Sequence, residues 1–236
     1  MGASNEACLI PELGERPTSV FLHGSNRPLL NWVLYAILVR TDPRFVWTDV
    51  RFQGERLDPL DPLARSLVPE SQLSVVRPEE LKRTHPPTHQ VSSYFHPDED
   101  PDAVRRLSEF LGLPQHTQRV ISHVDRVGRV PVLGLSNAHR LAGLYDFGHV
   151  HPTIRAILDS GVSLVMTWAD AVPGESSAFD FVLGLEGAGP LDWADAELRC
   201  TLGISRGEVR AGRSQRLGEI PSIADELRQA GVSRRN

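Results

Sequence analysis

The chain predicts an α/β fold: a mostly parallel central sheet flanked by helices, with an antiparallel extension at its C-terminal end. Three observations carry this expectation. Short apolar strands alternate with helical segments through most of the chain, the order of a parallel sheet joined by crossovers. Residues 19–23 and 130–135 are apolar on both faces of a strand, so helices should cover both sides and both strands should be interior. Near the end, segments 179–185, 196–202 and 207–212 follow one another without a helix, which indicates antiparallel neighbours.

In chain order, residues 1–17 read as a polar leader and 18–236 as a single domain. The strand at 19–23 ends at Gly24-Ser25. Pro28 suits the first turn of a helix, where its missing N–H is not needed, with Ser25 or Asn26 at the cap. Residues 31–40 are apolar almost all round and predict a buried helix. Strands follow at 45–49 and 73–76, separated by a proline-punctuated stretch read as loop plus one short helix. Residues 82–101 are polar and include the His-rich loop 85–96. Val104, Leu107, Phe110 and Leu111 have the spacing of an amphipathic helix, and 118–127 reads as another. Beyond the strand at 130–135 come a helix at 152–160, a strand at 162–167, the closing strands, and a terminal helix at 221–230.

The composition narrows the function classes. A chain of 236 residues with 40% apolar content suits one α/β domain with one sizeable core. A net charge of −5 offers no general attraction to nucleic acid or an anionic membrane. No apolar run approaches the ~20 residues that span a bilayer, so no membrane partner is expected. Cys8 and Cys200 make no disulfide framework, and no secretory signal is read, so a reducing cytoplasm is the expected location.

Several segments resemble RecA-like P-loop ATPases, in particular the KaiC and archaeal RadA-like branch. Phe21-Leu-His-Gly-Ser25 looks like the strand entering a P-loop, and Val132-Leu-Gly-Leu-Ser-Asn137 like a Walker B strand and its exit. Gly161-Val-Ser-Leu-Val-Met-Thr-Trp168 resembles the next strand, which in that family often ends in a polar sensor. Residues 179–186, 198–203 and 207–210 look like the closing strands. The resemblance spans roughly residues 19–217 and implies the same architecture.

The catalytic parts do not follow. A P-loop reads G-x-x-x-x-G-K-[ST], because glycine N–H groups wrap phosphate, lysine neutralises it and the hydroxyl holds Mg²⁺. Counted from Gly24, those places fall on Leu29, Leu30 and Asn31. Lys82, the only lysine, is far from them in sequence, and Pro28 removes an N–H from the would-be loop. Ser136-Asn137 stand where the Walker B acid is expected. Asp49 lies near the place where the family sets a catalytic carboxylate. The degenerate nucleotide site therefore comprises Gly24, Ser25, Asn26, Arg27, Asp49, Ser136 and Asn137, with no catalytic residue assigned. No cofactor is expected, ATP with Mg²⁺ being the one candidate.

Other constellations are weaker. His85 with His89, and His149 with His151, have ligand-like spacing but no third ligand, so no metal site is assigned. Ser136 lacks the framing of a nucleophile elbow, and Cys200 reads as a small strand residue. Trp32, Trp47 and Trp168 read as core, and Trp193 as a cap on the closing strands. The expected function is a non-catalytic domain that regulates or assembles with another copy or a related ATPase subunit. Its interface candidates are His139, Arg140, Arg206, Arg210 and Arg213. One alternative is a nucleotide-binding ATPase using Arg27 and Asp49. Another is a nucleic-acid-binding accessory protein using the C-terminal arginines.

Overall fold

The structure, a computed structural model, describes residues 10, 12–41, 45–54, 67–69, 72–77, 79, 130–141, 158, 161–169, 179–187, 190–205, 208–209 and 213–229. A helical turn α1 (Glu12–Glu15) precedes β1 (Ser19–Gly24), α2 (Arg27–Thr41), β2 (Val46–Val50) and β3 (Leu73–Val76). Then come β4 (Val132–Ser136), β5 (Ser163–Ala169), β6 (Phe181–Glu186), β7 (Glu197–Ser205), β8 (Glu208–Val209), β9 (Arg213–Arg216) and α3 (Pro221–Gln229). The strands lie in the order β3-β2-β4-β5-β1-β6-β7-β8, with β9 also pairing β7. The first six in that order are parallel, and β7 turns antiparallel to β6. The α/β fold with a mostly parallel sheet is as the sequence predicts.

Both strands expected inside the sheet are inside it. β1 pairs with β5 and β6, while β4 pairs with β2 and β5. Their apolar character on both faces has a direct cause. Val20 and Leu22 of β1 enter the core beneath α2, whereas Phe21 points the other way, 4.9 Å from Phe179 and 6.2 Å from Trp168 between ring centres. Helix α2 buries Leu29, Leu30, Trp32, Val33, Leu34, Ile37 and Leu38. Each such side chain contributes about 1.5–3 kcal/mol on removal from water. On the same side, α3 adds Ile223, Ala224 and Leu227, and Arg40 of α2 pairs with Glu226 of α3 at 2.7 Å.

Two glycines allow this close packing. A Cβ on Gly134 would lie 2.5 Å from Leu38 Cδ1, so its absence lets α2 settle onto β4. A Cβ on Gly24 would lie 2.5 Å from the Leu185 carbonyl oxygen of β6.

The segment read as a polar leader ends in packed structure. Leu13 of α1 is fully buried, and Ser163 Oγ of β5 lies 3.0 Å from its carbonyl while accepting the Thr18 N–H at 3.0 Å. Beside it, the Asp180 carboxylate accepts from Ser19 N–H at 2.8 Å and Ser19 Oγ at 3.0 Å. These bonds satisfy the strand starts that the sheet's own ladder leaves open. Strand β9 was not expected, because Arg-Ser-Gln-Arg has no apolar alternation. It forms because the outer edge of β7 supplies backbone partners, with Glu197 opposite Arg216 and Cys200 opposite Arg213. The helices and loops expected between residues 80 and 129 lie outside the described residues.

Gly24→Ala should lower the unfolding free energy by about 1–3 kcal/mol, because backbone rather than a movable side chain blocks the new methyl. Urea denaturation measures this, and an unchanged midpoint would mean that β1 and β6 can separate at little cost.

Candidate functional site

Parallel strands present their carboxyl ends on one rim, where α/β sheets usually place ligands. The residues proposed for a nucleotide site all reach that rim, but in two groups. Gly24, Ser25, Asn26 and Arg27 lie at the end of β1, and Asp49, Ser136 and Asn137 at the ends of β2 and β4. β4 and β5 separate β2 from β1. Three inter-strand steps make about 14 Å. Arg27 and Asp49 thus start from strand ends that are not neighbours in the sheet.

At the β1 end, strand and helix are joined by Ser25 and Asn26 alone, since β1 ends at Gly24 and α2 begins at Arg27. A phosphate-wrapping loop needs a longer run of backbone between those elements. Asn26 caps the helix: its Oδ1 accepts the Leu29 N–H at 3.2 Å, and its carbonyl accepts the Leu30 N–H at 2.9 Å. Pro28 has no N–H. The first turn is thereby largely withdrawn from anion binding. Leu29 and Leu30, in the places of the second glycine and the lysine, point into the core.

At the β2–β4 end lies a buried polar centre. Asp49 and Ser136 have 0% exposure. Asp49 Oδ1 accepts from Ser136 Oγ at 2.6 Å and Asn137 Nδ2 at 2.7 Å, while Oδ2 pairs with Arg51 Nε. Trp47 Nε1 donates to Ser136 Oγ at 2.7 Å. An indole N–H can only donate, so Ser136 must direct its single proton to Asp49. Asn137 has a φ of 60°, a left-handed conformation that asparagine tolerates better than most residues. That turn brings its backbone N–H to Thr167 Oγ1 of β5 at 2.9 Å and its amide to Asp49. Both carboxylate oxygens are thus occupied, one by an arginine.

The expected interface residues divide. Ala138–Leu141 forms a single 3₁₀ turn after Asn137, and two of its side chains, His139 and Arg140, turn back onto the rim. His139 Nδ1 accepts the Ala169 N–H at 3.2 Å, and Arg140 donates to the Val50 carbonyl at 2.5 Å with its guanidinium 6.0 Å above Phe52. Both thereby brace strand ends within the chain. Arg213 lies on β9 opposite Cys200. Arg206 and Arg210 are outside the described residues, as are His85, His89, His149 and His151. Among the described residues, no group of three metal-ligating side chains comes together, and no helix is long and apolar enough to cross a membrane.

Sequence reasoning missed Trp47, Arg51 and Thr167 as members of this centre. Trp47 was assigned to the core, where it is, but its N–H has a polar task as well. Arg51 had a readable signal: an acid and an arginine two residues apart at a strand end share a face.

A separate group sits on the opposite face at the end of β1. The His23 ring lies where a Gly184 side chain would be, 3.0 Å from a Cβ placed there, and stacks near Phe21. Burial lowers the His23 pKa below its ordinary 6.5, with the Glu186 charge opposing.

The chain matches no protein-family model and no curated protein sequence.

Two measurements check this geometry. Ser136→Ala strands an indole N–H and removes a donor from Asp49, which should cost about 1–3 kcal/mol in urea denaturation. Thr48→Val is the contrast, because Thr48 Oγ1 is buried with no hydrogen-bond partner among the described residues, and its loss should be neutral or stabilising. The His23 shift sets a pH dependence. With a folded pKa below the unfolded one, the unfolded chain binds the extra proton first, so stability is complete above pH 6.5 and falls as pH drops through the folded pKa. The slope difference between the parent chain and His23→Gln measures it, and identical slopes would refute it.

Proposed function

We propose that the chain is a non-catalytic RecA-like domain that acts as a regulatory or assembly partner. The observation that carries this reading is the two-residue join between β1 and α2, closed by the Asn26 cap and backed by buried Leu29 and Leu30. Nothing there can wrap a phosphate chain, and the nearest buried acid already has its donors and its counter-charge. The placement of β1 between β5 and β6, with antiparallel strands closing the sheet, supports the RecA-like part. The partner is a protein, either another copy of this chain or a related ATPase subunit. Acidic side chains on that partner suit the arginines of the closing segment, whose planar forks pair well with carboxylates.

Calorimetry with ATP and Mg²⁺ tests the non-catalytic part. No binding is expected at about millimolar nucleotide, a concentration that would detect even weak affinity, and no hydrolysis above background. Micromolar binding that disappears in Arg27→Ala would replace this reading with that of a nucleotide-binding protein. For the partner, reversing Arg206, Arg210 and Arg213 to Glu should reduce association measured as mass in solution. A folded triple variant that associates as before would remove these arginines from the interface.

A further inference from the structure

We propose that the open sheet face at β6, β7 and β9 is where a second copy of this chain docks, face to face about a two-fold axis, with Glu197 of each copy meeting Arg199 of the other. This takes the assembly reading further by naming its partner, and to that extent rests on it. On the side away from α2, the strand register sets two rows of side chains. Glu186, Glu197 and Arg216 stand abreast on the three strands, and Gly184, Arg199 and Ser214 form the row beside them. All of these but Gly184 are exposed, whereas Leu185 and Leu198 between the rows point the other way, into the core shared with α2. Opposite charges therefore lie side by side on one face. The ion pairs among the described residues nevertheless form elsewhere, at Arg40–Glu226, Arg51–Asp49 and Arg228–Asp225. Glu197 instead accepts the Ser214 hydroxyl at 2.8 Å.

Two acids and two arginines leave the patch without net charge. A uniformly acidic or basic partner gains nothing from such a surface, because each attraction brings a matching repulsion. A partner with the same two rows in reverse order does gain. A second copy presents that order when turned about an axis lying between the two faces and running across the strands midway between the rows. Glu197 then faces Arg199 of the second copy, and Arg199 faces Glu197 of the second copy. Arg216 meets Ser214, and Glu186 meets the bare Gly184. No like charges are opposed, so the patch is self-complementary, as an isologous interface must be. Packed sheets lie about 10 Å apart, a gap that a glutamate and an arginine reaching from opposite sides can close. Growth of the sheet edge to edge is disfavoured by Arg213 and Arg216 at the two ends of β9. Three strands span only about 10 Å, so the contact is small, weak and sensitive to salt.

Sedimentation equilibrium of the full chain over a concentration series tests this. At about 0.01 M salt the mass should climb from that of a monomer towards twice that value, and at about 1 M salt it should stay monomeric. Arg199→Glu and Glu197→Arg should each be monomeric at low salt, since each sets like charges against one another. Mixed in equal amounts, the two variants should associate again, because one then carries two acids where the other carries two arginines. The double variant with both substitutions should associate with itself for the same reason. Both positions are exposed. If either single variant does not fold, the double variant takes its place, and a folded double variant that stays monomeric overturns the inference. So does a mixture that stays monomeric while the parent associates. A parent that is monomeric at every concentration overturns it too, and leaves the assembly reading with a related ATPase subunit as partner. Association that survives Arg199→Glu but is lost on reversing Arg206, Arg210 and Arg213 would likewise overturn this interface while sustaining the assembly reading.

Discussion

A carboxylate with no exposed surface has to find donors and positive charge inside the protein, and Asp49 organises the carboxyl rim of the sheet around that need. Its partners come from two strands and the residues that follow them. Ser136 ends β4, Asn137 begins the turn beyond it, and Arg51 follows β2. The left-handed backbone of Asn137 follows from the same requirement, since that turn sends its amide to Asp49 and its N–H to Thr167. The 3₁₀ turn that comes next then places His139 on the end of β5 and Arg140 on the end of β2. Buried polar groups satisfied this fully tend to fix one arrangement, because any rearrangement strands a donor or a charge.

A different constraint governs the end of β1. The strand approaches β6 so closely at Gly24 that a methyl group there would meet the Leu185 carbonyl. Helix α2 then starts within three residues and drives Leu29 and Leu30 into the core. What makes this junction pack well differs from what a phosphate-binding loop presents. A binding loop must hold N–H groups away from the core and leave them unbonded, whereas here a side-chain cap and a proline account for the first turn. Close packing and anion binding compete for the same few residues.

Much of the architecture was legible along the chain. The strands at 19–23, 73–76 and 130–135 and the buried helix after Pro28 could be read because their apolar pattern is local. Two-faced burial leaves a continuous apolar run, and a helix start leaves Asn and Pro at defined places. Strand β9 was not legible, since Arg213–Arg216 is polar and becomes a strand only because β7 offers an edge. Asp49, Ser136 and Asn137 were legible only as members of one larger site with Gly24, Ser25, Asn26 and Arg27, because sequence spacing does not tell a ligand site from an internal one. Trp47 carries the same difficulty, for an indole in the core looks alike in sequence whether or not its N–H is used.

By itself the sequence determined the α/β class, the interior place of β1 and β4, the capped start of α2, and that no G-x-x-x-x-G-K-[ST] pattern follows β1. All of these depend on near neighbours in the chain: periodicity, caps, and the residue types a motif requires. Only the tertiary structure decided that Arg27 stands about three strands from Asp49, and that Arg51 pairs with Asp49. The spacing follows from the order in which strands insert into the sheet, and Ser136 meets Asp49 across 87 residues of chain. Local pattern carries no record of either, because a buried charge selects its partners by distance in space.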